Sequence, residues 1–230
     1  RRVDGNTRRI LDLFDEHGVK GTFFILGSVA EEFPLLTQEI VRRGHELASH
    51  GYEHFQAFRQ TPDEFRNDVS RTKKSLEDIA GVEIKGYRAA SFSISSKNWW
   101  AFDVLRETGH TYSSSTSISS NRLFRMPSER RRPFNPVEDD FIELPITSFA
   151  LLGMTFPAGG GGYFRLLPYS WYRYVVNSVN ANEAMPAVFY FHPWEIDPDQ
   201  PRASVDAMTR FRHYNHLASM ESKVAKALKD

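Results

Sequence analysis

The sequence predicts an α/β fold built on a parallel sheet, and three features of its 230 residues point there. Short apolar runs alternate with amphipathic stretches of roughly 10–20 residues, the pattern of repeated strand–helix units. The runs "GTFFILG" and "PAVFYFHPWEI" are continuously apolar rather than alternating, which suits strands covered on both faces. The amphipathic stretches also carry their own start and stop signals.

The elements follow in order. "NTRRILDLFDEHG" (6–18) is a helix with Asn6 or Thr7 as cap, an apolar face of Ile10, Leu11, Leu13 and Phe14, and Gly18 as its stop. "GTFFILG" (21–27) is the next strand. A helix over 33–44 leads to the strand "HELAS" (45–49). The longest helix, 61–81, has Thr61 as cap, Pro62 at its first position and Gly81 as stop. "IKGYRAA" (84–90) is a strand, and 95–109 is a helix ending at Gly109. Residues 113–140 interrupt the rhythm with Ser, Arg and Pro and read as a long connection containing the strand-like "HTYSSST" at its start. "FIELPIT" (141–147) is a strand. "GGGGYFRLLPYSWYRYVVNSVN" runs from a glycine loop into an aromatic helix, 186–196 is the clearest buried strand, and 208–228 is one amphipathic helix. With no repeat or linker, residues 1–230 form a single domain, with 195–230 as a C-terminal extension.

Composition excludes several functions. Lys plus Arg and Asp plus Glu are 29 each, so no net field favours nucleic acid or an anionic membrane. The basic run Ser128 to Pro133 is a solvated loop. The absence of cysteine removes disulfides, thiolate metal sites and a Cys nucleophile. No apolar run approaches the roughly 18 residues of a membrane span.

Eight histidines carry the chemistry that remains. In "ELASHGYEH", His50 and His54 are four positions apart just after a strand. On a helical turn that spacing points both rings at one ion, and the alternative is two surface imidazoles. His192 ends the strand "AVFYF", placed either for proton transfer or to cap a loop. Arg88 ends "KGYR" and can orient a carboxylate or make a structural ion pair. Gly159 to Gly162 lack the Lys-Ser/Thr of a phosphate loop and are expected to form a tight turn. His45 is structural, His213 and His216 share a helix face, and His17 and His110 lie at helix ends, where a cation complements the dipole.

The motifs "GTFFILG", "GHELASHGYEH", "GYRAASFSI" and "VFYFHPWEID", in that order, resemble the polysaccharide deacetylases with a NodB homology domain (carbohydrate esterase family 4). "HPWEIDPDQPR", "RFRHYNHL" and "GGGGYFRLLPY" resemble the branch associated with exosortase and exopolysaccharide gene clusters. The resemblance covers essentially the whole chain. It implies a distorted (β/α)7 barrel and hydrolysis of N-acetyl groups on hexosamine units of a polysaccharide, releasing acetate. It implies one divalent metal, zinc by preference, with His50 and His54 among its ligands. His192 matches the general acid, Arg88 the residue that positions the base carboxylate, and Ser91 an oxyanion contact through its backbone N–H. Trp194 matches an aromatic lining the sugar pocket, and Tyr163 would stack on a sugar face. Trp99 and Trp100 are core.

Three departures stand against that pattern. The family's Asp-rich first strand, source of a metal ligand and the catalytic base, has no room before the first helix, so it is expected upstream of residue 1. Asp4 does not replace it. Ala90 stands where the family has Pro, and Ser113 where relatives often carry Asp. Two other functions fit the same motifs: a non-catalytic carbohydrate-binding relative, or a hydrolase of small cyclic ureides or imides. The compartment stays open between the cytoplasm and periplasm of a bacterium.

Overall fold

The computed structural model describes residues 2–117, 131–137, 140–151 and 154–230. Its elements in chain order are α1 (Arg2–Glu16), β1 (Thr22–Ile25), α2 (Gly27–Glu32), α3 (Pro34–Arg42), β2 (Glu46–Ser49), α4 (Pro62–Ala80), β3 (Gly86–Tyr87), α5 (Trp100–Glu107), β4 (Tyr112–Ser113), β5 (Ile142–Glu143), β6 (Ser148–Leu151), β7 (Met154–Pro157), α6 (Gly161–Leu166), α7 (Tyr169–Asn182), α8 (Ala207–Tyr214) and α9 (Leu217–Lys229). Contacts divide the chain into two units, Lys20–Ile146 and Arg1–Val19 with Thr147–Asp230. Residues 128–130 of the basic run lie outside the described residues.

The unit Lys20–Ile146 carries the parallel sheet. Its five strands run in the order β1-β2-β3-β4-β5, all parallel, with Thr22 beside Glu46, Ser49 beside Tyr87 and Ser113 beside Glu143. The expected α/β class with a parallel sheet is therefore present. Helix α4 forms as its sequence dictates. Thr61 Oγ1 accepts from Glu64 N while the Glu64 carboxylate accepts from Thr61 N at 2.7 Å, Pro62 starts the helix, and Gly81 ends it at φ 70°. Its buried face of Phe65, Val69, Thr72 and Leu76 covers the sheet. Phe65 meets Tyr87 and Trp100 edge to face, in a core shared with Phe102, Leu105 and Phe141. Trp99 and Trp100 pack against this core, as expected.

In the other unit, β6 and β7 form an antiparallel hairpin. Its core joins Phe149, Ala158, Val175, Val179 and Met185. Helix α1 is anchored by Asp197, whose Oδ2 accepts from Arg2 Nη1 at 2.6 Å and Asn6 Nδ2 at 3.0 Å.

Several boundaries differ from expectation, each for a local reason. The helix 33–44 is preceded by the separate α2, because Pro34 starts a new helix after Phe33. Helix α5 begins at Trp100 rather than 95, since Asn98 ties up the preceding turn: Oδ1 accepts from Ser95 N at 2.9 Å and Nδ2 donates to Ser93 O at 3.0 Å. Pro168 splits the aromatic helix into α6 and α7. The tail helix is two helices, broken at Asn215 and at His216, which sits at φ 51°. The expected strand 186–196 makes one isolated bridge among the described residues, Gly160 with Tyr190, and its last four residues, Pro193–Ile196, form a 3-10 turn instead. Its neighbour on that edge turns into α6 at Gly161, which ends the ladder.

His110 also departs from expectation. It is buried, not a cation at a helix end. Burial, helped by Lys73, lowers its pKa to about 4, so the ring is neutral and edges onto Tyr87.

Candidate active site

Strand β2 delivers His50 to its C-terminal end. His50 N donates to Ile25 O at 3.0 Å, and Arg88 N donates to Ser49 O at 2.9 Å, continuing the ladder on both sides. His50 Nδ1 donates to Arg88 O at 2.7 Å. That bond puts the ring proton on Nδ1 and the lone pair on Nε2, the tautomer that ligates a metal.

The expected helical turn between the two histidines is absent. Residues 51–54 are a loop, and His54 reaches His50 by adopting φ 63°. A left-handed residue of this kind costs about 1 kcal/mol or more, a strain that persists only where surroundings enforce it. They do so here. Gly27 N donates to Gly51 O, Ser28 Oγ to Tyr52 O at 2.8 Å, and Tyr52 OH to Glu31. Tyr52 N donates to Asp68 Oδ1 at 3.1 Å, and the Arg71 guanidinium lies over the Tyr52 ring at 3.4 Å. The imidazole centroids end 5.0 Å apart with planes at 72°.

Arg88 is held by its own fork. Nε donates to Ser114 O at 3.0 Å and Nη2 to Ser114 Oγ at 2.8 Å, with the guanidinium 4.1 Å over Phe24. Three residues on, Ser91 and Phe92 are both left-handed, at φ 55° and 52°, so the chain turns sharply there; the Ser91 side chain is exposed. Where relatives often carry Asp, Ser113 donates to Ser115 Oγ at 2.6 Å, and that oxygen accepts from Ala89 N at 2.9 Å. A hydroxyl relay thus supports the segment bearing Arg88 and Ser91. Glu143 lies beside it, accepting from Ser115 N and Thr116 N. Burial pushes its carboxyl above the ordinary range.

The other unit holds His192, Trp194 and Tyr163. His192 precedes a short 3-10 turn, Pro193–Ile196, and its side chain is 48% exposed. Its Nδ1 donates to Glu195 Oε1 at 3.0 Å, and its backbone N donates to the same oxygen at 3.0 Å. Arg165 Nε donates to Glu195 Oε2 at 2.9 Å, with both side chains almost fully buried. Burial alone would raise the Glu195 carboxyl; the bonds from His192 and the Arg165 charge outweigh it and hold it below the usual value. One face of Trp194 is covered by His213, stacked at 4.0 Å, and His213 Nε2 bonds Gln200 Oε1 at 3.1 Å. Tyr163, on α6, is 45% exposed.

Glu195 and Arg165 were not singled out by sequence reasoning. Glu195 did have a signal: "HPWE" places an acidic residue three positions after His192 with Pro between, the spacing of a capping box. The glycine run is explained here too. None of Gly159 to Gly162 has positive φ, so the expected reason for them, freedom to turn, does not hold. At Gly161 the reason is approach: a Cβ there would sit 2.6 Å from Glu195 Oε1.

The chemistry of the donor pair suits a divalent metal, but only in part. Two imidazoles with one tautomer fixed from behind are typical zinc ligands, whereas a complete site needs three or four. Among the described residues no third His, Asp or Glu joins them.

The polysaccharide deacetylase family model matches residues 3–113, and Domain of unknown function (DUF3473) matches residues 113–230. The chain belongs to the DUF3473 family, whose match covers just over half of it, and its N-terminal part is similar to polysaccharide deacetylases. Over 82 residues it is 39% identical to Peptidoglycan-N-acetylglucosamine deacetylase of Bacillus cereus, covering 36% of this chain and 30% of that protein. The matched portion thus spans less than a third of that relative. The structure is similar to a Mycobacterium smegmatis protein assigned as a polysaccharide deacetylase (TM-score 0.62, 22% identity, 97% of this chain and 70% of that one). It is also similar to a CE4 family pseudoenzyme from Bacillus anthracis (TM-score 0.53, 15% identity, 98% and 57%). These likenesses fix the α/β fold with its parallel sheet as that of the carbohydrate esterase family 4 deacetylases.

Proposed function

We propose that the protein hydrolyses N-acetyl groups from hexosamine units of a polysaccharide, releasing acetate, and that the polymer is an exopolysaccharide. The observation that carries this is the His50–His54 pair, in which Arg88 O sets the His50 tautomer, within a region that matches the polysaccharide deacetylase family model. His50 and His54 would hold one zinc ion. When bound, the metal would polarise the amide carbonyl and acidify a water.

Residues of this chain take the remaining roles except that of the base, which falls to the carboxylate of the family's Asp-rich strand. Water oxygen bonds to the acetyl carbon while a carboxylate base, oriented by Arg88, takes its proton. The Ser91 N–H donates to the oxygen that becomes negative. His192, protonated, delivers a proton to the nitrogen as the C–N bond breaks and its electron pair moves to nitrogen. Acetate and a free amine result. Tyr163 offers an exposed ring to a sugar, and Trp194 an indole backed by His213.

Acetate release from N-acetylglucosamine oligomers, with and without chelator, tests this. Chelation and His50→Ala should each abolish turnover, with zinc stoichiometry falling in the variant. Unchanged rates in His50→Ala would end the assignment. His192→Ala should lower turnover by about 100-fold or more while retaining metal. The second reading, a non-catalytic carbohydrate binder, is favoured by the absence of a third ligand among the described residues. It predicts oligosaccharide binding without acetate.

A further inference from the structure

Three features of one unit converge on a single carboxylate. The Glu195 side chain is almost fully buried, yet its Oε1 reaches the half-exposed His192 ring. Its Oε2 is held by Arg165, whose remaining nitrogens are occupied as well: Nη1 donates to His213 O and Asn215 O at 3.2 and 2.5 Å, and Nη2 to Arg212 O at 3.1 Å. Gly161 clears the space, because any side chain there would collide with the carboxylate. A glycine, a buried arginine and the end of α8 thus serve one group that points at one imidazole.

We propose that Glu195 is the positioning residue of His192, and that Arg165 is the anchor that fixes Glu195. The proposal rests on His192 being the proton donor. The carboxylate accepts the Nδ1–H, so the proton given to the departing nitrogen is the one on Nε2, and the ring ends neutral in the Nδ1–H form. The two hydrogen bonds that the His192 backbone N and Nδ1 donate to one oxygen fix the ring about its χ angles. The groups facing the ring are Glu195, Tyr190 at 5.8 Å and Trp194 at 5.5 Å, with His213 beyond the indole and Arg165 behind the carboxylate. A helix-end cap made only for stability would not need the carboxylate to meet the imidazole as well as the backbone.

Two measurements test it. In the wild-type protein labelled with 15N-histidine, the His192 signal, assigned by its loss in His192→Ala, should report the Nδ1–H tautomer in the neutral ring. An Nε2–H tautomer in the wild-type protein would overturn the proposal. In Glu195→Gln, kcat for acetate release should fall about 10- to 100-fold at near-constant KM, with Glu195→Asp recovering part of it. His192→Ala/Glu195→Gln should be no slower than His192→Ala alone, because the carboxylate acts through the ring. A Glu195→Gln enzyme with kcat within twofold of wild type and the same tautomer would refute the assignment. If the wild-type protein releases no acetate, the deacetylase function fails, while the tautomer still decides whether Glu195 orients His192.

Discussion

Replacing Gly161 by Ala inserts one methyl group where a buried ion pair already sits. The new Cβ would lie 2.6 Å from Glu195 Oε1 and 2.7 Å from Glu195 Cδ, roughly 0.7 Å inside ordinary contact. Neither side can yield cheaply. Glu195 is bonded to Arg165 at 2.9 Å, and Arg165 to the α8 terminus. A retreat of about 1 Å by the carboxylate would take the Arg165 contact to nearly 4 Å. Breaking a buried pair costs about 3–5 kcal/mol, and the helix preference of Ala over Gly returns about 1 kcal/mol. The net loss is about 2–4 kcal/mol, which for a chain of this size lowers Tm by about 5–15 °C. Gly162→Ala is the matched control, since a Cβ there meets nothing within 4 Å, and it should be neutral or slightly stabilising. Differential scanning calorimetry of both variants decides the matter. A Gly161→Ala protein melting within about 1 °C of wild type, or within error of Gly162→Ala, would refute the close-approach explanation.

Other outcomes follow from the same physical terms. His110 binds its proton with a pKa of about 4 when folded and an ordinary value of 6.5 when unfolded, so the unfolded state takes up more protons between those limits. Stability should therefore rise from pH 4 to 6.5 by up to about 3 kcal/mol, and urea titrations of His110→Gln should show that slope reduced. Thr61→Ala removes the capping box of α4 and should cost about 1 kcal/mol in the same assay, with Thr61→Ser nearly silent. Asp197→Ala leaves Asn6 and Arg2 without their acceptor and should cost about 1–3 kcal/mol, with early proteolytic release of α1 as the visible sign.

Much of this was legible before any coordinates. The start and end of α4 follow from Thr61, Pro62 and Gly81, because capping is a local interaction written within four residues. The strand β2 and the histidines after it were also readable. Their local geometry was not: an i, i+4 spacing suggests a helix, whereas here a left-handed His54 achieves the meeting of rings, enforced by Ser28, Glu31, Asp68 and Arg71 from other elements. The split of the tail helix was equally hidden. Residues 208–228 keep helical periodicity throughout, and the break is made by Arg165, some fifty positions away, drawing the last α8 carbonyls to itself. The charge of His110 is not written in its sequence neighbours, which say helix end; its burial beside Tyr87 and Lys73 decides it.

The Arg165 contacts give the final stretch of the chain a different standing from an appendage. Deleting everything past Asp206 would strand a dehydrated guanidinium with a lone carboxylate and none of its peptide oxygens. Grafting a foreign tail would do the same unless its corner presented the same trio of acceptors. Transplants between relatives should therefore succeed only when arginine, glutamate and tail move as one cassette.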